Sequence, residues 1–175
     1  MWKKLSSQYA YKGWRHILKK QFQMPDGETA VFDVVDNNDY ITVAAFTPEG
    51  AAILVRQFRP GPEQELLSFP EGYIDEGEAA EEAARRELLE ETGYEAGSIR
   101  YLKTFRRAYS TETRICFLAE NCRRKSQQDL DRQEFIEVLA MPRDAFRSML
   151  QDEQENSFTN VDIAYLALDK MGLLS

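Results

Sequence analysis

Residues 72–94 read GYIDEGEAAEEAARRELLEETGY, and the organisation of the chain is best understood outward from this stretch. From Glu78 onward its composition of Ala, Glu, Arg and Leu favours an α-helix. Gly93 stands where a glycine in the left-handed conformation commonly ends a helix. The stretch therefore predicts a helix from about Glu78 to Thr92.

Acidic side chains share one stripe of this helix with apolar ones. Because an α-helix turns about 100° per residue, one stripe contains Ala80, Ala83, Ala84, Glu87, Leu88 and Glu91, with Glu90 at its edge. Like charges three and four residues apart repel, and turning them toward the body of the domain adds a desolvation cost. Arg86 can offset part of this charge, and a hard divalent cation such as Mg²⁺ prefers such oxygen ligands. At this point both a metal site and a merely Glu-rich surface helix are open.

The spacing of the fixed residues distinguishes these alternatives. The stretch fits G-x5-E-x7-R-E-U-x-E-E-x-G-U, where U is usually aliphatic, and its fixed positions are Gly72, Glu78, Arg86, Glu87, Glu90, Glu91 and Gly93. This is the Nudix box, and the sequence resembles the Nudix hydrolase family. Tyr94 occupies the last U position, where its apolar ring is expected to pack in the same way. The resemblance implies an α+β fold, the family's α/β/α sandwich with a mixed β-sheet.

The resemblance also implies an activity and a set of site residues. The activity is hydrolysis, dependent on Mg²⁺ or Mn²⁺, of a nucleoside diphosphate linked to another group. By motif position, the implied metal ligands are Glu87, Glu90, Glu91 and the backbone carbonyl of Glu71. Arg86 is implied to orient the glutamates. Glu78 is interpreted first as a salt bridge from the loop to the helix, and second as a weak metal contact.

The sequence before the box resembles one subgroup of the family. VRQFRP at 55–60 and LLSFPEGYIDEGE at 66–78 are similar to ADP-ribose and nucleoside diphosphate sugar pyrophosphatases. Arg59 is then a candidate phosphate contact, since a guanidinium can bind phosphate oxygens in a bidentate manner. Residues 69–72 are Phe-Pro-Glu-Gly where the subgroup often has Leu-Pro-Ala-Gly, and residues 109–110 are Tyr-Ser where it has a proline. A different nucleotide sugar is therefore as consistent with the sequence as ADP-ribose.

The catalytic base in this subgroup usually comes from a mobile acidic loop late in the chain. The stretch QQDLDRQEFIEV at 127–138 has that character. Glu134 is the first candidate base, Asp131 the second and Glu137 the third. If none of them acts, one of the box glutamates must accept the proton.

Turn residues and β-branched runs predict the remaining elements. The predicted elements are hairpins at 15–36 and 40–58, strands near 66–69, 100–109, 113–120 and 134–141, and helices at 142–150 and 161–172. Their order lacks βαβ alternation, which favours an α+β fold. We expect residues 1–38 to form an N-terminal β-hairpin extension that mediates dimerisation and residues 39–175 to form the hydrolase domain.

Composition limits the partners. The 175 residues carry 22 basic and 30 acidic side chains, a net charge of −8, which disfavours binding to nucleic acid or to an anionic membrane through the protein's own field. No apolar run approaches the roughly 18 residues of a membrane span, and no secretory signal is evident. We expect a cytoplasmic homodimer that acts on a small nucleotide sugar.

Two alternative functions are retained. The chain could hydrolyse dinucleoside polyphosphates, nucleoside triphosphates or capped RNA with the same machinery. It could also be a nucleotide-sugar sensor without turnover, although the intact box favours an enzyme.

Overall fold

A computed structural model describes residues 1–174, and these divide into two compact units. The first unit combines Met1–Asp39 with Thr104–Arg114. The second combines Tyr40–Lys103 with the chain from Ile115 onward, and it contains the helix predicted from the box.

The first unit contains a three-stranded antiparallel sheet. Its strands are β1 (Lys3–Lys12), β2 (His16–Gln23) and β3 (Thr29–Asp36), in the order β1-β2-β3. Strands β2 and β3 are the predicted hairpin, and Gly27, with φ of 93°, lies in the turn that joins them. Strand β1 was not predicted, because every one of its residues is exposed and no buried alternation marks it.

The remaining elements within residues 1–174 are nine strands and three helices. They are β4 (Tyr40–Phe46), β5 (Ala52–Arg59), β6 (Gln64–Ser68), β7 (Glu71–Tyr73), α1 (Ala80–Thr92), β8 (Tyr94–Glu95), β9 (Ser98–Arg106), β10 (Thr113–Glu120), β11 (Arg123–Arg124), β12 (Ile136–Met141), α2 (Arg143–Gln151) and α3 (Val161–Lys170). The large sheet is mixed and has the order β12-β5-β4-β10-β9, with β6 paired to β5 and β7 paired to β4. The predicted hairpins and helices are confirmed; β7, β8 and β11 were missed because two or three residues show no period.

Helices cover both faces of the large sheet. Alternate residues of β4 (Ile41, Val43 and Ala45) form one buried cluster with α1 residues Ala83, Ala84 and Leu88. The next residue, Phe46, points to the opposite face, because side chains alternate along a strand. There its ring meets those of Phe69 and of Phe146 in α2 at centroid distances of 6.0 and 6.1 Å, and the ring of Phe158 packs against these two at 5.6 and 5.7 Å. The predicted α/β/α sandwich is therefore confirmed.

Helix α1 begins two residues later than predicted and ends where predicted. Its N-cap is Ala79, because the amide of Glu78 donates to the carbonyl of Asp75 at 3.0 Å in a preceding turn. At the other end Gly93 has φ of 74° and donates its N–H to the carbonyl of Leu89 at 2.7 Å. A side chain at Gly93 would also meet the carbonyl oxygen of Ser126 at 2.3 Å, so the glycine permits a close approach as well as the turn.

The predicted strand at 134–141 begins two residues late, at Ile136. Glu134 instead closes a turn with Asp131, because each amide donates to the other residue, at 2.9 Å to the carbonyl of Asp131 and at 3.1 Å to the carboxylate of Glu134. Among residues 1–174, no helix is both long enough and apolar enough to cross a bilayer.

Replacing Phe146 with Ala should lower the free energy of unfolding by about 3–5 kcal/mol, because it leaves a cavity among three aromatic rings. Urea denaturation measures this loss. Phe135→Ala is the control: that ring is 82% exposed, and its removal should change stability by no more than about 0.5 kcal/mol. A loss below about 1 kcal/mol for Phe146→Ala would contradict the assignment of this cluster as core.

Candidate active site

The second half of α1 carries carboxylates into the body of the second unit. Glu91 is only 6% exposed, and the side chain of Glu87 is 15% exposed. Glu90, at 40%, lies at the edge of the same stripe. The structure thus brings the three glutamates together in the order of burial that the helical stripe predicts.

Arg86 is the positive charge that compensates them. One guanidinium nitrogen, Nη1, donates to Glu87 Oε1 at 2.7 Å and to Glu90 Oε2 at 3.1 Å. Nε and Nη2 donate to the two oxygens of Glu78, both at 2.9 Å, and Nη2 also reaches the carbonyl of Tyr73 at 3.0 Å. Hydrogen bonds to Glu78, and then to Glu87 and Glu90, raise the pKa of Arg86, so the fork stays charged.

Glu78 is fully engaged in this bridge. Both of its oxygens accept from Arg86, and Oε2 also accepts the N–H of Asp75 at 3.1 Å. The bond from Arg86 holds the pKa of Glu78 below its usual range. This geometry supports the loop-to-helix salt bridge rather than a direct metal contact.

Strand β7 brings the loop before the helix against the two buried acids. The N–H of Glu71 donates to Glu91 Oε2 at 3.1 Å, which places the main chain of Glu71 beside that carboxylate. A Cβ on Gly72 would lie 1.9 Å from Glu87 Cδ, so only glycine allows the strand and the carboxylate to pass each other.

The two buried acids have strongly perturbed pKa values. Desolvation, partly offset by Arg86, raises the pKa of Glu87 to about 7. Desolvation also raises the pKa of Glu91 well above its usual range, and the charges of Glu87, Glu134 and Glu71 add to the shift. Acids held in this way mark functional sites, because stability alone would favour removing their charge.

The acidic loop is fastened to the end of α1 and brings Glu134 toward the buried acids. Gln128 Nε2 donates to the carbonyl of Glu91 at 2.7 Å and to the carbonyl of Ile136 at 3.1 Å, so one amide joins the helix to β12. The N–H of Asp129 donates to the carbonyl of Glu90 at 2.9 Å.

The three candidate bases are placed differently. The charge of the half-buried Glu134 is a lesser contributor to the raised pKa values of both buried glutamates, so this carboxylate lies near them. Asp131 is exposed. Glu137 is also exposed, and it pairs with Arg56 at 2.7 Å across the β5–β12 register.

Arg59 lies at the end of β5 that runs beside Glu134. Ile136 pairs with Gln57, so the end of β5 that carries Arg59 runs beside the start of β12, two residues after Glu134. Arg59 is half-buried and forms no ion pair with any residue between 1 and 174. Its charge is available to an anion.

The carboxylates are held by the protein rather than arranged around a metal position. Within the described chain, no three His, Cys, Asp or Glu side chains are grouped so that they could hold a metal ion. Arg86 occupies Glu87 and Glu90, and the N–H of Glu71 occupies one oxygen of Glu91. The donors still fit a hard divalent cation, because all are carboxylate oxygens and two are desolvated acids whose charge a cation would stabilise.

Sequence reasoning missed three polar residues that fix this site, Thr42, Gln128 and Asn160. Each is a single uncharged residue far along the chain from the box, and burial rather than spacing reveals it. The one available signal was that Asn160 precedes an apolar helical run, as helix N-cap residues do.

Replacing Glu87 with Gln should stabilise the metal-free protein at pH 8. The folded-state pKa of Glu87, about 7, lies above the ordinary value of 4.5, so the folded protein binds a proton more tightly than the unfolded chain. The free energy of unfolding should therefore fall as pH rises from about 4.5 to 7, by roughly 3 kcal/mol from this group, and the substitution should remove most of that fall. Urea denaturation in EDTA at several pH values measures it.

Glu81→Gln is the matched control, since Glu81 lies on the solvent face and pairs only with Arg85. It should leave the pH profile unchanged. If Glu87→Gln were less stable than the parent at pH 8, the desolvation of Glu87 would not be the dominant cost.

Comparison with known proteins finds relatives of this chain in sequence and in fold. An ADP-ribose pyrophosphatase of Bacillus subtilis (strain 168) is 33% identical over 150 residues, which cover 83% of this chain and 81% of that protein. A methanol dehydrogenase activator of Bacillus methanolicus is 27% identical over 152 residues, covering 85% and 82%. A crystal structure of an ADP compounds hydrolase superposes with a TM-score of 0.84 at 23% identity, covering 99% of this chain and 97% of that one, and so shares the fold.

The model of the NUDIX domain family matches residues 37–161, which include the box, the preceding strands, the acidic loop and the start of α3. With most of the chain covered by that model and the relative from Bacillus subtilis at 33% identity, the chain belongs to the Nudix family.

Proposed function

We propose that this protein hydrolyses the pyrophosphate bond of ADP-ribose or a related nucleotide sugar to a nucleoside monophosphate and a sugar phosphate. One observation carries the proposal: two buried carboxylates, Glu87 and Glu91, sit beside Arg86 and the Phe-Pro-Glu-Gly strand. The similarity to an ADP-ribose pyrophosphatase over most of both chains supports the substrate class.

Nudix hydrolases use a divalent cation, and we propose Mg²⁺ or Mn²⁺ here. Its ligands would be Glu87, Glu90, Glu91 and the backbone carbonyl of Glu71. When bound, the cation neutralises the diphosphate and lowers the pKa of a water molecule. Arg86 orients Glu87 and Glu90 through two short bonds, and Glu78 fixes the other side of the same guanidinium.

Two further residues complete the chemistry. Arg59 binds phosphate oxygens of the substrate, because its guanidinium is not neutralised by any described side chain and lies at the same edge as the acids. Glu134 removes the proton from the attacking water, because it is the candidate acid that lies near Glu87 and Glu91. Asp131 is the second candidate, and Glu137 is the least favoured because Arg56 engages it.

The first unit has an exposed strand and exposed apolar side chains, which are suited to an interface between two copies. Strand β1 is exposed along its length, and the large apolar side chains exposed in this unit include Trp2, Leu5, Tyr9, Tyr11, Trp14 and Val31. Aromatic residues of this kind are enriched in interfaces. We therefore propose residues 1–38 as the dimerisation element of a homodimer and residues 39–175 as the hydrolase domain. A cytoplasmic location stays a prediction from the sequence.

The activity is tested by incubating the protein with Mg²⁺ and ADP-ribose, ADP-glucose, GDP-mannose or UDP-glucose, and by identifying the products chromatographically. A nucleoside monophosphate and a sugar phosphate are expected from at least one of them. Glu91→Gln should lower kcat by at least about 100-fold, because it removes a charged ligand of the cation. Cleavage of nucleoside triphosphates, dinucleoside polyphosphates or capped RNA without cleavage of any nucleotide sugar would reject the proposal, and binding without turnover would indicate a sensor.

The base assignment is tested by comparing Glu134→Gln with Asp131→Asn. Loss of a general base typically costs 10²–10⁴-fold, so we expect a fall of at least about 100-fold in kcat for Glu134→Gln. The exposed neighbour Asp131 should tolerate replacement with a change in kcat below about threefold. The opposite ranking of the two variants would move the base to Asp131.

A further inference from the structure

Asn160 lies at the N-cap of α3, but its side chain does not cap that helix. Asn160 is 2% exposed, and it makes no side-chain bond to the first turn. An asparagine at this position ordinarily accepts an N–H of its own helix. Here Oδ1 accepts the N–H of Phe69 at 2.7 Å, and Nδ2 donates to Glu71 Oε1 at 2.8 Å. Both polar groups of this buried side chain therefore form hydrogen bonds with the turn that precedes the box.

Hydrogen bonds hold the backbone of this turn, which runs from Phe69 to Glu71. The N–H of Phe69 is bound by Asn160. Pro70 has no N–H, and its carbonyl accepts the N–H of Val43 at 2.9 Å. The N–H of Glu71 donates to Glu91. These three bonds, together with the pairing of Thr42 with Glu71 between β4 and β7, hold the Glu71 amide against the Glu91 carboxylate.

The side chain of Glu71 supplies the acceptor for Asn160. Glu71 stands where the resembling subgroup often has alanine, which could not accept a hydrogen bond from Asn160. Its Oε1 accepts from Asn160 and from the hydroxyl of Thr42, a fully buried residue, both at 2.8 Å. Two neutral donors converge on one carboxylate oxygen and hold it in place.

The segment before α3 is itself bound to the sheet. The N–H of Leu67 donates to the carbonyl of Ser157, and the N–H of Thr159 donates to the carbonyl of Leu67, both at 2.9 Å. Asn160 is thus presented to the turn by a short parallel pairing with the end of β6. The side chain has little freedom to adopt another orientation.

We propose that Asn160 is a positioning residue that, through Glu71, fixes the metal-ligand geometry of Glu91. This proposal rests on the proposed function for its role, although the contacts themselves do not. Residues that orient ligands in this way typically change metal affinity 10- to 100-fold when replaced.

The test exchanges the donor between the two partners. Asn160→Asp keeps the acceptor for Phe69 but turns a carboxylate oxygen toward Glu71, so the two charges repel. Adding Glu71→Gln restores a donor at the other end. We expect the dissociation constant for Mn²⁺, measured by electron paramagnetic resonance on metal-free protein, to rise about tenfold in the single variant and to return to within about threefold of the parent in the double variant.

Ile163→Val is the control for a general loss of stability. Ile163 is fully buried in the same helix and does not touch the turn through a polar group, so Mn²⁺ affinity should be unchanged. Should Asn160→Asp fail to fold, Asn160→Ala replaces it, since that variant removes both bonds without adding charge. Equal Mn²⁺ affinity in the Asn160 variant and Ile163→Val, or no recovery in the double variant, would overturn the proposal.

Two other readouts separate positioning from the chemistry. Amide hydrogen exchange in the Phe69–Glu71 segment should be faster in Asn160→Asp than in Ile163→Val, and slow again in the double variant; unchanged exchange would overturn the proposal. If a nucleotide sugar is the substrate, kcat should fall about tenfold in Asn160→Asp while KM changes less than threefold. Mn²⁺ binding and exchange test the inference even if no nucleotide sugar is cleaved.

Discussion

The site depends on one guanidinium that holds three carboxylates on a single helix and the loop before it. Without Arg86, Glu87 and Glu90 would repel each other, and both oxygens of Glu78 would lose their hydrogen bonds to the guanidinium. With it, the acids remain close together without a metal ion, although burial still raises the pKa of Glu87 and Glu91. Ionising the buried glutamates thus costs electrostatic free energy, and a divalent cation can offset this cost. This is the physical basis for metal-assisted hydrolysis by an acidic protein.

The fold supplies the close approaches that this cluster needs. Because Gly72 has no Cβ, β7 can pass close to the carboxylate of Glu87. Gly93 ends the helix where the acidic loop crosses it. Gln128 then joins the last turn of the helix to β12, so that Glu134 lies near the acids. Asn160 closes the opposite side by binding the turn that presents Glu71. Gly72 and Gly93 within the box, and Gln128 and Asn160 from later in the second unit, therefore position α1 and the turn before it.

Much of the fold and of the candidate site could be predicted from the sequence, because strong local sequence patterns coincide with the site. The helix, its glycine end and the inward stripe follow from composition and spacing, the role of Arg86 comes from the family resemblance, and the two hairpins follow from turn residues and alternation. The exposed strand β1 and the strands of two or three residues could not be predicted, because neither presents a period. Thr42, Gln128 and Asn160 could not be predicted as site residues, because an uncharged side chain acquires its role only through burial beside a partner that is remote in sequence.

The central claim is that burial raises the free-energy cost of ionising Glu87 and Glu91 and that a bound cation offsets this cost. Calorimetric titration of Mg²⁺ into the metal-free protein at pH 7, repeated in two buffers with different heats of ionisation, measures the protons released. Because burial raises the pKa of Glu87 to about 7 and that of Glu91 well above its usual range, cation binding should release protons, and the heats in the two buffers should differ accordingly. Mg²⁺ binding with identical heats in both buffers would show that these acids are already ionised without strain, and it would contradict the account.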